Sequence, residues 1–209
     1  MNQKRCIILC AGAITAQDIA WANIGPQDFV IAADAGYIHA KNFGIVPHRI
    51  VGDFDSSQDP GALDIPIERF PSHKDDTDCL LAVRRGLQQG CGRFVILGGL
   101  GGRLDHTLAN LQTLAFLADH GARGELKGDG AWITLLRGES ITLPRQEGYL
   151  SVFAMGGPCS GIWEQGTEYP LENASLSPNF PLGVSNHIVD QTATVGVKDG
   201  DLLVMITNK

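Results

Sequence analysis

The sequence contains no C-x-x-C pair, and its five cysteines are an odd number. A disulfide framework or a zinc site is therefore not expected, and reduced cytosolic thiols are the default. No apolar run approaches the roughly 20 residues that span a membrane. The apolar stretch behind the basic N-terminus covers only residues 6–11, which is shorter than the roughly 7–15 residues of a signal-peptide core. These absences predict a cytoplasmic protein with no membrane partner.

Basic residues are also scarce. The chain has 209 residues and a net charge of -7, from 16 Lys and Arg against 23 Asp and Glu. A general nucleic-acid binder normally presents a basic surface, so we expect no nucleic-acid partner. A small anionic ligand stays compatible with this charge, because a few local amides and cations suffice to bind it.

The first 120 residues alternate short apolar runs with helical patterns. Apolar runs at 6–11, 29–34, 49–54 and 94–99 are typical of parallel strands that are covered on both faces. Helical periodicity predicts helices over 76–90 and 103–121. In the second of these helices the spacing predicts a buried stripe, and Arg103, His106 and Asn110 fall roughly opposite to it. The stripe consists of Leu104, Leu108, Leu111, Ala115 and Ala118.

Beyond about residue 122 the pattern becomes strand-rich, with Gly, Pro or Asp between the strands. The fold class we predict is an α/β N-terminal domain with a mostly parallel sheet flanked by helices, over 1–125. An all-β sandwich or barrel domain should follow over 126–209.

Acidic residues cluster at two places, at the end of the apolar run 49–54 and at the start of the helix predicted over 76–90. Asp53 and Asp55 share one side of an extended chain because strand side chains alternate. Clustered carboxylates favour a hard cation such as Mg²⁺, and Asp75, Asp76 and Asp78 supply a second cluster at a helix start. The alternative is a solvated turn rich in Asp, Ser and Gly.

The glycine tract GGLGGRLDH, residues 98–106, lies between a strand and a helix. Its amides and the helix N-terminus can bind an anion, and the planar cation of Arg103 suits phosphate oxygens. The tract is neither a G-x-G-x-x-G motif nor a Walker A loop, and a tight turn explains its glycines equally well. Asp105 either holds Arg103 or contacts a ligand.

Other patterns offer competing interpretations. DFDSS, residues 53–57, is similar to the D-x-D loop of haloacid-dehalogenase-like phosphatases, with Asp53 as nucleophile and Ser57 at the Thr or Val position. In the strand-rich half, Ser185 and Asn186 stand at a predicted turn, and Tyr169 is either a core residue or an aromatic that stacks on a flat ring.

Taken together and in order, the motifs resemble those of the thiamine pyrophosphokinase family. They span most of the chain, and their combination is more specific than any one of them. The matching segments are 33–57 (ADAGYIHAKNFGIVPHRIVGDFDSS), 74–83 (KDDTDCLLAV), 97–111 (LGGLGGRLDHTLANL), 166–176 (GTEYPLENASL) and 183–187 (GVSNH).

The resemblance implies transfer of a diphosphate group from ATP to thiamine with release of AMP, in a homodimer that uses Mg²⁺. It implies that the N-terminal domain binds ATP and Mg²⁺ and that the β domain helps form the thiamine pocket at the dimer interface. The metal and diphosphate residues would be Asp53, Asp55 and Asp78, with Arg103 beside them as a catalytic residue. The nucleotide, phosphate and thiamine contacts would be Asp34, Gly36, Lys74, Thr77, Gly101, Gly102, Arg103, Asp105, His106, Tyr169, Ser185 and Asn186.

Two departures from the family pattern stand out. Ala35 replaces the first glycine of an Asp-Gly-Gly turn, and Thr167 and Glu168 replace the Leu and Lys of a Gly-Leu-Lys-aromatic element. Two functions remain as alternatives from the residues themselves. One is a metal-dependent phosphatase that uses Asp53, and the other is a non-catalytic nucleotide or thiamine sensor.

Overall fold

The computed structural model describes residues 3–54, 61, 64–71 and 75–208. The chain divides into two compact units, Met1–Asp129 and Gly130–Lys209. An α/β first half with flanking helices and a β-rich second half were predicted, and both are confirmed. The domain boundary expected at 125/126 falls inside a strand of the first unit. No helix in the described part of the chain has the length and apolarity needed to cross a membrane.

The first unit alternates strands and helices. Its elements are β1 (Lys4–Leu9), α1 (Ala16–Ala22), β2 (Phe29–Ala33), α2 (Gly36–Asn42), β3 (Arg49–Gly52), β4 (Ile67–Arg69), α3 (Asp78–Gln88), β5 (Cys91–Leu97), α4 (Leu104–Asp119) and β6 (Arg123–Gly128). The strand order is β4-β3-β2-β1-β5-β6, and the pairs along this path are parallel.

Helices cover both faces of this sheet. On one face Ile7 and Leu9 of β1 belong to a buried cluster with residues of α1 and α2. On the other face Gly86 of α3 lies so close that an added Cβ would stand 2.4 Å from the ring of Phe94 and 3.0 Å from the sulfur of Cys6. Both sides of β1 and β5 are therefore apolar, which accounts for their continuous hydrophobic runs.

Helices α1 and α2 have seven residues each, and periodicity did not reveal them. A local signal for α1 was present in the sequence. Thr15 caps the helix by accepting from the Asp18 N–H at 3.2 Å, while the Asp18 carboxylate accepts from the Thr15 N–H at 2.9 Å. The sequence T-A-Q-D, residues 15–18, matches the pattern of this reciprocal capping box.

The orientation predicted for α4 is wrong. Leu104 and Leu108 are 81% and 56% exposed, whereas Asn110 and Leu114 are buried. Leu114 and Leu117 pack against Gly124 of β6, where an added Cβ would meet both side chains within 2.7 Å. Packing against β6 selects this face, and a helix with leucines on several sides does not reveal which of them is covered.

The second unit is antiparallel. Its strands are β7 (Ala131–Arg137), β8 (Ser140–Pro144), β9 (Tyr149–Gln165), β10 (Leu171–Leu176), β11 (Thr192–Gly196) and β12 (Asp199–Thr207). They follow the order β7-β12-β9-β11-β8, and β10 pairs with β9. One apolar cluster that includes Val152, Ile162, Val195 and Val204 forms the core.

Candidate functional site

A crevice of about 260 Å³ lies at the carboxyl ends of β1 and β5. From β1 the chain proceeds to β2 on one side of the sheet, whereas from β5 it proceeds to β6 on the other. Open parallel sheets bind ligands at such a switch point. The sequence-predicted residues that line the crevice are Asp34, Thr77, Asp78, Gly101, Gly102, Arg103 and His106.

Two glycine loops meet at one wall of the crevice. The Gly12 N–H donates to the Gly98 carbonyl at 3.0 Å. A Cβ on Gly12 would stand 2.5 Å from that oxygen, and Gly98 itself has a φ of +69°. Both positions therefore require glycine, the first for close approach and the second for a left-handed backbone.

Asn110 fastens the glycine tract to α4. Its Nδ2 donates to the Gly99 carbonyl at 2.7 Å in a buried hydrogen bond. The solvent-facing position considered for Asn110 is therefore wrong, because the main-chain carbonyl of a packed loop needs a partner where water cannot reach it. The first turn of α4 is thereby held against the crevice.

The N-terminus of α3 also opens onto the crevice. Thr77 caps the helix, because its hydroxyl accepts from the Leu80 N–H at 3.2 Å. Thr77, Asp78 and Cys79 line the cavity. The N–H groups in the first turn of a helix, together with the helix dipole, make this end of α3 attractive to an anion.

Arg103 and Asp105 form a two-point ion pair at the start of α4. Arg103 Nε and Nη2 donate to the two Asp105 carboxylate oxygens at 3.2 and 2.6 Å. These hydrogen bonds hold the pKa of the Asp105 carboxyl below its usual value. Of the two roles considered for Asp105, the structure shows the one in which it holds Arg103. Both side chains are exposed, so the guanidinium stays accessible to a ligand.

The segment after β2 explains the alanine that departs from the family pattern. Asp34 has a φ of +47°, and its N–H donates to the Val51 carbonyl at 2.8 Å. Ala35 has a helical φ of -60°, so this position does not need glycine. Gly36 does, because an added Cβ would stand 1.9 Å from the Leu9 carbonyl oxygen. Gly36 therefore allows α2 to pack on the end of β1.

The predicted metal carboxylates are only partly brought together. Of the predicted metal carboxylates, Asp78 borders the crevice, and so does Asp34, which was predicted as a nucleotide or phosphate contact. Asp53 follows β3 directly and does not belong to the described lining. Asp55 and Lys74 lie outside the described residues. Within those residues, no group of three or more His, Cys, Asp or Glu side chains could hold a metal. Carboxylate oxygens beside main-chain N–H groups that can bind an anion nevertheless suit a hard cation that accompanies such an anion.

Cys10 and Cys79 also line the crevice, and the sequence analysis did not select them. A hydrogen bond with the Cys79 thiol and burial raise the pKa of Cys10 well above its usual value. Cys10 therefore stays a protonated thiol and is a poor nucleophile. In open parallel sheets, ligands bind beyond the carboxyl ends of the strands, and applying this rule to the end of β1 would have identified Cys10 to Gly12.

In the second unit, Tyr169, Ser185 and Asn186 are neighbours. Tyr169 is 64% exposed, so the interpretation of it as a core residue is wrong. Ser185 is exposed, with a φ of 63°, and its N–H donates to the Ser151 hydroxyl at 3.0 Å. Asn186 is buried, and its Oδ1 accepts from the Tyr169 N–H at 3.0 Å.

Two protein-family models match the chain. Residues 21–124 match "Thiamin pyrophosphokinase, catalytic domain", and residues 139–202 match "Thiamin pyrophosphokinase, vitamin B1 binding domain". The crevice lies mostly in the first range, and the Tyr169, Ser185 and Asn186 group lies in the second.

Two known proteins and a solved structure that resemble this chain bear the same family name. Thiamine pyrophosphokinase of Bacillus subtilis strain 168 is 26% identical over 183 residues, which cover 84% of this chain and 85% of that protein. Thiamine pyrophosphokinase 1 of Oryza sativa subsp. japonica is 28% identical over 65% of this chain and 55% of its own length. A crystal structure of the Bacillus subtilis thiamine pyrophosphokinase shares the fold, with a TM-score of 0.88 at 23% identity, over 99% of this chain and 100% of that one.

Proposed function

The chain belongs to the thiamine pyrophosphokinase family, and from this premise we propose that it transfers a diphosphate group from ATP to thiamine, giving thiamine diphosphate and AMP. The observation that carries the proposal is the crevice in the part that matches the catalytic model. Glycine-loop amides, two helix N-termini and Arg103 border one cavity there, and all of them are groups that bind phosphate.

We assign the ATP phosphates to this crevice. The tract from Gly98 to Gly102 and the first turns of α3 and α4 supply N–H groups, and Arg103 supplies a charge that is already oriented by Asp105. Thiamine is assigned to the second unit, where Tyr169 offers an aromatic face and Ser185 a hydroxyl. We propose that the second unit also mediates homodimer formation.

Mg²⁺ is the cation that we expect to accompany ATP. Asp78, Asp53 and Asp55 are the residues that would hold it, since hard carboxylate oxygens with no sulfur ligand suit this ion. When bound, it would neutralise charge on the phosphate oxygens.

The proposed chemistry is an in-line displacement. The oxygen of the thiamine hydroxyl forms a bond to the β-phosphorus, and its proton is released to solvent. The bond from that phosphorus to the oxygen shared with the α-phosphate breaks, so AMP leaves with that oxygen. Positioning and electrostatic stabilisation supply most of the catalysis in this class of reaction, so no covalent nucleophile is needed. The residues of the crevice would act by holding the triphosphate and stabilising its charge.

The identity of the products tests the proposal. Incubation with ATP, Mg²⁺ and thiamine should yield AMP and thiamine diphosphate in equal amounts. Inorganic phosphate together with a trappable aspartyl-phosphate would favour the phosphatase alternative. Calorimetric binding without turnover would favour the sensor.

A matched pair of arginines tests the phosphate assignment. Arg103→Ala should lower kcat/KM about a hundredfold or more, because a cation on the transferring group is lost. Arg137→Ala is the control, since Arg137 makes the same two-point pair with Asp201, at 2.5 and 2.7 Å, on strands of the second unit. Equal losses in both variants would contradict the assignment.

Light scattering tests the proposed homodimer, and a monomer at assay concentrations would contradict it.

A further inference from the structure

One buried amide in the second unit holds the main chain of an exposed residue from both sides. The Asn186 Oδ1 accepts from the Tyr169 N–H at 3.0 Å, and the Asn186 Nδ2 donates to the Tyr169 carbonyl at 2.8 Å. The same Oδ1 accepts from the His187 N–H at 2.9 Å. The side chain of Asn186 thus pairs with the main-chain N–H and carbonyl of Tyr169, as the backbone of a neighbouring strand does in a sheet. These hydrogen bonds connect the segment around residue 169 to the turn at 185–187.

The remaining N–H of Asn186 donates to Glu164 Oε2 at 2.7 Å. A carboxamide offers two donors and an oxygen that accepts twice, so the protein itself uses all four positions of Asn186. Asn186 is also only 7% exposed. Its side chain therefore has no remaining group to offer a ligand, although the sequence analysis placed it among the thiamine contacts.

Glu164 is the unusual member of this network. It lies on β9 opposite Leu171 of β10 and Val195 of β11, and it is 2% exposed. In the described part of the second unit it is the only buried acidic side chain. Burying a carboxyl among apolar side chains costs stability, which a leucine at this position would avoid. Stability of the sheet alone therefore does not explain a glutamate here.

The main chain that this network holds carries two accessible side chains. Tyr169 is 64% exposed, and Ser185 precedes Asn186 directly. Ser185 also has a left-handed φ of 63°, which is uncommon outside glycine and needs support from its surroundings. Hydrogen bonds provide that support. The Ser185 N–H donates to the Ser151 hydroxyl, and the amide of Asn186, the next residue, binds the main chain of Tyr169 and His187.

We propose that Glu164 is a positioning residue for thiamine binding, which acts through Asn186 to hold Tyr169 and Ser185 in place. The inference rests on the proposed function for the placement of thiamine beside these two side chains. Glu164 contributes the acceptor that completes the amide of Asn186. Without it one Asn186 N–H is left buried and unpaired, and the segment that carries Tyr169 loosens.

Two substitutions at one position separate positioning from a structural role. Glu164→Leu removes the acceptor but suits the apolar surroundings, whereas Glu164→Gln keeps an amide oxygen that Asn186 can donate to. We expect Glu164→Leu to raise the KM for thiamine about tenfold, the equivalent of one lost hydrogen bond. The KM for ATP and kcat should stay within about twofold of wild type, and Glu164→Gln should keep the wild-type KM for thiamine.

A second variant keeps the test decisive if Glu164→Leu does not fold. Asn186→Asp replaces the donor that faces Glu164 with an oxygen, so it should raise the KM for thiamine. Glu164→Gln introduced into the same chain should restore part of the loss, because the glutamine amide donates to the new carboxylate. A merely structural role predicts no such reciprocal rescue.

The outcomes distinguish this inference from the proposed function. Wild-type turnover together with an unchanged KM for thiamine in Glu164→Leu, or no rescue in the double variant, overturns the positioning role alone. A wild-type protein that forms no thiamine diphosphate from thiamine, ATP and Mg²⁺ overturns the proposed function, and the inference with it.

Discussion

The two units hold their candidate binding groups in different ways. In the first unit the crevice is bordered by main-chain groups of glycine loops and by helix N-termini, all at the carboxyl ends of parallel strands. In the second unit, the exposed Tyr169 and Ser185 depend on a buried side-chain network, Asn186 with Glu164. The first arrangement follows from the topology of the sheet, whereas the second depends on two particular polar residues placed in an apolar core. Substitutions should therefore affect the two units differently.

Among the substitutions considered, removal of the Asp78 carboxylate from the crevice should lower activity the most. Asp78→Asn should lower kcat at least about a hundredfold, since loss of even an outer-shell partner of a metal costs about 10–100-fold.

Asp76→Asn is the matched control for this variant. Asp76 lies two residues away and pairs with Arg84 at 2.7 Å, and it does not belong to the described lining of the crevice. Steady-state kinetics of both variants at several Mg²⁺ concentrations makes the comparison. Near wild-type turnover in Asp78→Asn would contradict the metal assignment.

The buried glutamate should make the second unit pH-sensitive. Burial raises the pKa of Glu164 from 4.5 to about 7, against a smaller lowering by the Asn186 hydrogen bond. Because the pKa of Glu164 is higher in the folded than in the unfolded protein, Glu164 makes a contribution to the free energy of unfolding that depends on pH. This contribution is fully present below pH 4.5 and is lost as the pH rises through about 7. The loss should be on the order of 3 kcal/mol across this window.

The glutamine of the Glu164→Gln variant cannot ionise, so this variant should lack the pH-dependent part of the free energy of unfolding that Glu164 contributes. Chemical denaturation of both proteins at pH 4.5 and pH 8 measures it, because contributions from the other titrating groups cancel in the comparison. The glutamine variant should gain stability relative to wild type at the higher pH. An identical pH dependence in the two proteins would show that Glu164 titrates normally.

A single methyl group should damage the wall of the crevice in the first unit. Gly12→Ala places a Cβ 2.5 Å from the Gly98 carbonyl oxygen, where only main-chain movement relieves the clash. We expect a loss of about 2 kcal/mol in the free energy of unfolding, typical of overpacking, and weaker ATP binding by calorimetry.

Gly25→Ala is the control for Gly12→Ala, because its added Cβ would come no closer than 4.0 Å to another residue, at the Asp28 carboxylate. Unchanged ATP affinity in Gly12→Ala would indicate that the glycine loops do not contact the nucleotide.

The smallest effect concerns Thr167, which departs from the family pattern. Its hydroxyl is buried and lacks a hydrogen-bond partner among the described residues. Thr167→Val keeps the shape and removes the unpaired group, so it should stabilise the protein by up to about 1 kcal/mol. Differential scanning calorimetry measures this change, and a destabilised variant would show that the hydroxyl has a partner.

Sequence reasoning recovered much of the crevice from local signals. The acidic cluster at a helix start located Asp78, the glycine tract between a strand and a helix located Arg103, and the family motifs located Asp34. It missed Cys10 to Gly12, since small and apolar residues after β1 carry no polar signal. It also misjudged α4, whose leucines at 104 and 108 are exposed while Asn110 is buried against Gly99.

By itself, the sequence of this protein determined the alternation of strands and helices, the change to a β-rich second half, and the family motifs. These features are carried by neighbouring residues, so that local spacing records them. Only the tertiary structure decided that Asn186 faces inward and that Glu164 completes its amide. Residues 164 and 186 are far apart in the chain, and their hydrogen bond exists only because the sheet brings β9 and the 185–187 turn together. Whether a polar side chain meets a ligand or another buried group depends on such long-range packing, which no local pattern reveals.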